Sequence, residues 1–426
     1  MNDKNQRDDM ALHSPFTTHN SLVPRLRFPE FRGAGEWPER QLGDFLRESR
    51  VPGSKGDVAK KITVKLWGNG VFEKKEAVQG SANTQYYRRQ AGQFIYSKLD
   101  FLNQAFGVIP PHLDSFESTV DLPCFDIDEQ LNPKFLLEYV KRKDFYERLG
   151  ETADGSRKAR RIHAETFLSF CIALPASDEQ QKIAACLSSL DTLIAAQADK
   201  LDALKTHKKG LMQQLFPREG ETVPRLRFPE FREAGEWCHR TLDAFVSERN
   251  QLPEAKLPLY SLSIEDGVAP KTERYERSFL VKNEAEAYKI VQPNDFAYNP
   301  MNLRFGAIGR HSGSEPVAVS KYYNIFYCDS SVDSRFCEIY FRSPRMIAYY
   351  NDVAIGSLIE KRRVHFSDFL GFQLRFPALE EQQKIAACLS SLDTLIATQA
   401  EKLDALKTHK KGLMQQLFPG PEAVAA

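Results

Sequence analysis

The side chains in this chain best suited to chemistry are cations and amides rather than nucleophiles. Arg160–Arg161 is followed by His163, and Arg362–Arg363 by His365, inside two matching stretches, RRIHAETFLSF (Arg160–Phe170) and RRVHFSDFLGF (Arg362–Phe372). A guanidinium pair that recurs at one skeleton position suits phosphate, because Arg and Lys neutralise phosphates and release counterions. Further candidates surround the first pair (Arg88, Arg89, Lys98, Asn103, Arg157, Lys158) and the second (Asn299, Asn302, Arg304, Lys321, Tyr322, Lys361). Arg to guanine and Asn to adenine are pairings that read base edges. The same side chains are ordinary on solvated faces, and taken singly each supports both readings. The two histidines read as structural or phosphate-facing rather than catalytic.

No set of residues points to bond-making chemistry. Gly150–Arg157 (GETADGSR) has the glycine spacing of a phosphate loop but lacks its lysine. Asn132–Phe135 (NPKF) and Asn299–Asn302 (NPMN) are only loosely similar to an amino-methyltransferase loop, without its second proline and aromatic pair. Asp57 with Glu73–Lys75 could be taken for a nuclease-like set, yet it has no counterpart in the other half. No Ser/His/Asp or Cys/His arrangement is recognisable. The expectation is a chain with no catalytic residue, no metal and no cofactor of its own. The seven cysteines form no CxxC pair and read as buried free thiols in a reducing compartment.

The elements that must position these loops come from two internal repeats. Glu179–Pro217 recurs as Glu381–Pro419 with two changes, Ala196 to Thr398 and Asp199 to Glu401. Val23–Trp37 recurs as Val223–Trp237 with one, Gly33 to Glu233. In the long repeat Ile183, Leu187, Leu190, Ile194, Leu201, Leu204, Leu211 and Leu215 step by fours and threes, a heptad seam. The spacing predicts one helix of about 38 residues, roughly 57 Å long, capped by Asp178 and stopped by Pro217. Its cheapest partner is its own copy, and chain direction makes the pair antiparallel. Gln197 and Gln399 then serve as a polar register device in the seam.

The divergent middles, 46–177 and 246–379, share a skeleton: GQFIYSKL with NDFAYNPM, FGVI (Phe106–Ile109) with FGAI (Phe305–Ile308), and KFLLEY with RFCEIY. Lys61–Leu66 and Tyr322–Tyr327 read as strands, and the stretches after Pro133 and Pro344 as short helices. The expected architecture is α+β: two pseudo-two-fold-related domains (23–177 and 218–379) separated by a long antiparallel two-helix coiled coil (178–217 and 380–419), with disordered tails at 1–22 and 420–426. Phe28, Phe31 and Trp37 and their copies Phe228, Phe231 and Trp237 are candidates either for partner docking or for packing a domain onto the helices.

Bulk properties restrict little else. A net charge of +1 neither favours nor excludes a polyanion. No apolar run long enough for a membrane span or a signal peptide is present, and a cytoplasmic protein is expected.

PRLRFPEF followed by Trp and Leu, then EQQKIA leading into a heptad helix that ends LMQQLF, each present twice, resembles the specificity subunit of type I restriction-modification systems. The resemblance covers essentially the whole chain apart from its tails. It implies two target-recognition domains that bind double-stranded DNA and catalyse nothing. It implies two modification subunits that bring S-adenosylmethionine and methylate adenine, and two restriction subunits that bring ATP, with Mg2+, for translocation and cleavage. With two unlike domains it implies an asymmetric bipartite site, the first domain reading the 5′ half. A stand-alone DNA-binding regulator, a coiled-coil scaffold and, weakened by the missing motifs, an enzyme acting on nucleic acid are the competing readings.

Overall fold

The computed structural model describes residues 22–75, 80–150, 161–271, 287–356 and 362–420, the side chains of 148–150 excepted. Its helices are α1 (Pro133–Val140), α2 (Lys143–Gly150), α3 (Ala164–Leu168), α4 (Ser177–Leu215), α5 (Ser334–Phe341), α6 (Pro344–Val353), α7 (Phe366–Leu370) and α8 (Leu379–Leu417). The chain divides into two compact units, Met1–Ala198 with Glu401–Ala426, and Asp199–Ala400. Each unit therefore contains the start of one long helix and the end of the other.

Unit 1 is built on a four-stranded antiparallel sheet of β1 (Leu46–Glu48), β2 (Phe94–Tyr96), β3 (Phe106–Val108) and β4 (Cys124–Ile127), ordered β1-β4-β2-β3. Unit 2 repeats it with β5 (Val246–Glu248), β6 (Phe296–Tyr298), β7 (Ile308–Arg310) and β8 (Asn324–Cys328), ordered β5-β8-β6-β7. The central strands β2 and β6 are buried throughout, which is why their sequences, FIY and FAY, are wholly apolar and aromatic. Phe94 stacks on Phe167 of α3, ring centroids 5.6 Å apart, and Tyr298 packs on Phe369 of α7 at 5.3 Å. Burying one such side chain is worth about 1.5–3 kcal/mol.

Short helices begin where the sequence supplies caps. Asn132 accepts from the backbone N–H groups of Lys134 and Phe135 ahead of Pro133, and Asp333 accepts from those of Arg335 and Phe336. These are N-caps, with proline at a first helical position in α1. Each capping residue is itself held by a repeated glutamine: its backbone N–H donates to Gln180 Oε1 (2.9 Å) or to Gln382 Oε1 (3.0 Å).

The near-invariance of the repeats has a physical basis at this joint. Arg27 makes a bidentate pair with Glu179 and donates to the carbonyl of Gly35; Arg227 does the same with Glu381 and Gly235. The backbone N–H of Leu26 donates to the carbonyl of Gln416, and that of Leu226 to Gln214. The short repeat thus ties the first turn of one long helix to the last turn of the other, inside each unit. Trp37 and Trp237 lie in the cores beside Phe418 and Phe216. Their role is packing, not partner docking, because no indole surface is left to offer. Phe28 and Phe228 are half-buried against the same cores, and Phe31 and Phe231 are half-buried.

Within unit 1, Ile183 and Leu187 of α4 share a core with Leu413 and Leu417 of α8, and Lys410 binds Asp191 further along. In unit 2, Leu211 and Leu215 share a core with Ile385 and Leu389, and Lys208 binds Asp393. As one helix advances the other recedes, so the packing is antiparallel in both units, as chain direction predicts. Both helices are 39 residues long. They start slightly earlier than the sequence suggests. Asp178 lies inside the first turn of α4 instead of capping it, and the N–H groups of Glu179 and Gln180 both donate to the carbonyl of Ala176. Gln197 and Gln399 are buried, as polar seam residues are.

Two other expectations change. Strand pairing sets Tyr96 opposite Phe106 and Tyr298 opposite Ile308. Phe106 therefore corresponds to Ile308, and Phe305 lies in the preceding 3-10 turn where unit 1 has Asn103. The FGVI and FGAI runs match as text but sit three residues out of register. All seven cysteines are free, yet only Cys124 and Cys337 are buried, while Cys171 and Cys238 are exposed. No helix among the described residues is long and apolar enough to cross a membrane.

Candidate nucleic-acid interface

The two stretches that carry the arginine pairs are fixed to the sheets in the same way. In unit 1 the Tyr96 hydroxyl donates to the carbonyl of Ile162 (3.0 Å), and the Ile162 N–H donates to the carbonyl of Lys98 (3.1 Å). In unit 2 the Tyr298 hydroxyl donates to Val364 (3.3 Å), and the Val364 N–H to Pro300 (3.1 Å). Burial pushes both phenols well above the ordinary tyrosine value, so they remain donors at any working pH. A tyrosine on the central strand thus draws together two segments some 65 residues apart in sequence, the arginine stretch and the loop after the strand.

This anchoring sets the loop of Lys98 beside the stretch of Arg161 in unit 1, and the loop that begins at Asn299 and runs on to Asn302 and Arg304 beside the stretch of Arg362 and Arg363 in unit 2. Arg161 is exposed, 3.8 Å from Asp121. Arg362 is half-buried and Arg363 exposed, and neither pairs with a carboxylate among the described residues. The Arg363 backbone is held by a two-way bridge to Ile355, 3.0 Å in each direction. Arg304 lies over the half-exposed ring of Phe305, 4.2 Å from its centroid. Asn299 Oδ1 accepts from the N–H of Met301 (3.0 Å), which fixes the loop. That loop returns to β7 through Gly306 at φ +94°, where a Cβ would stand 3.1 Å from Ile347 Cδ1. Unit 1 makes the same left-handed turn at Gln104, φ +55°.

The remaining candidates lie apart from these groups. Arg88 is exposed on a small second sheet, cross-strand from Glu117. Lys321 and Tyr322 occupy the turn before β8, with Tyr322 78% exposed. Arg157, Lys158, Arg160 and Lys361 are outside the described residues. Arg89 is a correction. It is 2% exposed, and its guanidinium donates to Ser118 Oγ and to the carbonyls of Ser49, Thr119 and Leu122. Burial pulls its pKa down. It ties strands together and has no face for phosphate. In unit 2 a buried carboxylate is braced instead: Arg249 makes a bidentate pair with Asp295.

One exposed group escaped the sequence reading. Trp67, 64% exposed, sits at φ +60° in a hairpin tip whose N–H groups bond the Asn103 and Gln104 carbonyls, 2.8 and 2.9 Å away. A bulky side chain held at positive φ is costly and tends to occur at functional sites. The signal available was its setting in WGNG, a tryptophan in a glycine-rich turn.

The chain thus holds two modules of one α+β fold, each with its own set of cations, amides and aromatics beside the arginine stretch. Comparison with known proteins agrees. The chain is 24% identical over 303 residues to MjaX of Methanocaldococcus jannaschii, provisionally named a type I restriction enzyme specificity subunit, covering 67% of this chain and 66% of the relative. It is 24% identical over 281 residues to the MjaVIII specificity subunit of the same organism, covering 61% and 64%. The chain thus spans just under two-thirds of the length of these curated relatives. In fold it is similar to the type I S subunit of M. genitalium (TM-score 0.55, 13% identity, covering 94% of this chain and 100% of the other). A chain from a study of type I complex assembly and conformational transition gives a TM-score of 0.53 at 15% identity, covering 91% and 98%. No family profile matches the chain. The resemblance drawn from the repeats is borne out: in sequence and in fold this chain is similar to the specificity subunits of type I restriction-modification systems.

Proposed function

We propose that the chain is the DNA-reading subunit of a type I restriction-modification complex, itself without catalytic activity. Unit 1 reads one half of an asymmetric bipartite site and unit 2 the other. Modification subunits carrying S-adenosylmethionine methylate adenine where this chain directs them, and restriction subunits supply ATP- and Mg2+-dependent cleavage; each partner is present in two copies. The observation that carries the reading is the pairing of one sheet-and-tyrosine scaffold, used twice with the same arginine stretch, with loops after the central strand whose side chains differ, Lys98 and Asn103 in unit 1 and Asn299, Asn302 and Arg304 in unit 2. Identical loops would select a palindrome, whereas unlike loops select two unlike half-sites.

The test is genome-wide adenine-methylation mapping in a host that expresses the chain with the methyltransferase encoded beside it, against the methyltransferase alone. A new asymmetric two-part motif that depends on this chain is expected. Absence of any new motif with both proteins soluble and assembled overturns the reading.

A further inference from the structure

The divergent loops are not the whole of the cationic surface. In unit 2 a cavity of about 540 Å³ opens between the end of α4 and the start of α6. Five cations line it, Lys205, Lys208, Lys209, Arg218 and Arg345, over a floor that includes Met212, Phe216 and Pro344, and no carboxylate is in the lining. Lys205 and Lys209 are exposed and make no ion pair with any described residue. Like charges four apart on one helix face repel, so the long repeat retains a locally unfavourable pattern.

Unit 1 has the counterpart, about 520 Å³, where Lys407, Lys410 and Lys411 of α8 face Lys141, Arg142 and Lys143. The helix lysines are the same repeat positions, whereas the domain side differs. Lys410 is neutralised by Glu138 (2.9 Å) and Asp191 (2.7 Å). In unit 2 the position of Glu138 on α1 is taken by Ile339 on α5, and among the described residues Lys208 pairs with Asp393 alone.

Each cavity adjoins the candidate interface of its own unit. The 3-10 turn bearing Phe305 packs along α6, whose first residues line the unit 2 cavity. The turn bearing Asn103 packs on α2, and Tyr146 of α2 lines the unit 1 cavity. One short helix in each unit therefore links the recognition loop to the cationic end of a repeated helix.

We propose that the repeated helices themselves contact the DNA backbone, through Lys205 and Lys209 in unit 2 and Lys407 and Lys411 in unit 1. The inference rests on the DNA-reading function above and adds a division of labour to it. Divergent loops choose bases, and invariant helix lysines hold phosphates whatever the sequence. Unit 2 contributes more, because its cavity holds no carboxylate.

The test measures binding of the full chain, in complex with its modification partner, to duplexes with and without the methylated motif, as a function of salt. Each lost phosphate contact lowers the slope of log affinity against log salt by about 0.9. Lys205→Gln with Lys209→Gln should lower it by about 1.8, so that between 50 and 200 mM salt wild type loses roughly tenfold more affinity than the variant. The loss should be equal on both duplexes, and Lys407→Gln with Lys411→Gln should give the smaller change. An unchanged slope in a variant that still folds, assembles and binds overturns the proposal. So does failure of the variant to bind the modification partner with its slope on the isolated chain intact, which would assign the lysines to protein docking. If wild type shows no salt-dependent binding to any duplex, the DNA-reading function falls and this proposal with it.

Discussion

Replacing Arg227 with Ala tests the joint that the repeats maintain. The Arg227 guanidinium donates from Nε and Nη2 to the two oxygens of Glu381 at 2.7 and 2.6 Å and from Nη1 to the carbonyl of Gly235 at 2.6 Å. The side chains are 7% and 1% exposed, so the low value of a surface salt bridge does not apply. Removing one partner leaves a carboxylate buried without its counter-charge, and breaking such pairs costs about 3–5 kcal/mol. For a folding unit of this size each kcal/mol moves the midpoint by about 2–4 °C, which gives a fall of roughly 6–20 °C. Calorimetry of the full chain reads this as a shift of the unit 2 transition. Arg227→Met combined with Glu381→Leu removes both charges and should recover most of the loss, since apolar replacement of a buried pair is often neutral. Arg27→Ala should act alike on unit 1, where the pair with Glu179 has the same geometry. A loss below about 1 kcal/mol for Arg227→Ala, or a double variant no better than the single one, would refute the reasoning.

Three further outcomes are expected. Arg362→Ala with Arg363→Ala should weaken DNA binding and flatten its salt slope by about 1.8; an unaltered slope removes both from the interface. Arg89→Ala should destabilise unit 1 by about 3 kcal/mol or more, through buried carbonyls left without donors, seen in urea unfolding; a loss confined to DNA affinity, with unfolding unchanged, would return it to the interface. Glu138 supplies a pH dependence. Burial pushes its carboxyl up, but Lys141 and Lys410 outweigh that and hold it below its ordinary value of 4.5. A depressed carboxylate contributes stability above its unfolded pKa and loses it as pH falls through the folded one. Acid unfolding of wild type below about pH 4.5 should therefore be steeper than that of Glu138→Gln, and identical acid limbs would contradict the assignment.

The sequence by itself determined the frame. The two long helices follow from a heptad period, their antiparallel pairing from chain direction, and the doubling of one α+β module from the internal repeats. The recurrence of the arginine stretch at one skeleton position is legible there too, because the same run stands 202 residues apart in the two halves. Tertiary structure decided which cations are available. Arg88 and Arg89 are neighbours in sequence, yet strand alternation leaves one exposed and turns the other into a core brace. Trp37 and Trp237 could pack or dock by sequence, and only their burial beside Phe418 and Phe216 settles it. The FGVI and FGAI runs misled because text similarity ignores hydrogen-bond register, which the FxY strands fix three residues away. The clamp on Lys410 could not be read at all. It depends on Glu138 and Asp191, residues distant in the chain, meeting one lysine whose repeat copy, Lys208, pairs with Asp393 alone among the described residues. A local pattern specifies local geometry and its own period, whereas charge pairing between elements depends on how they pack.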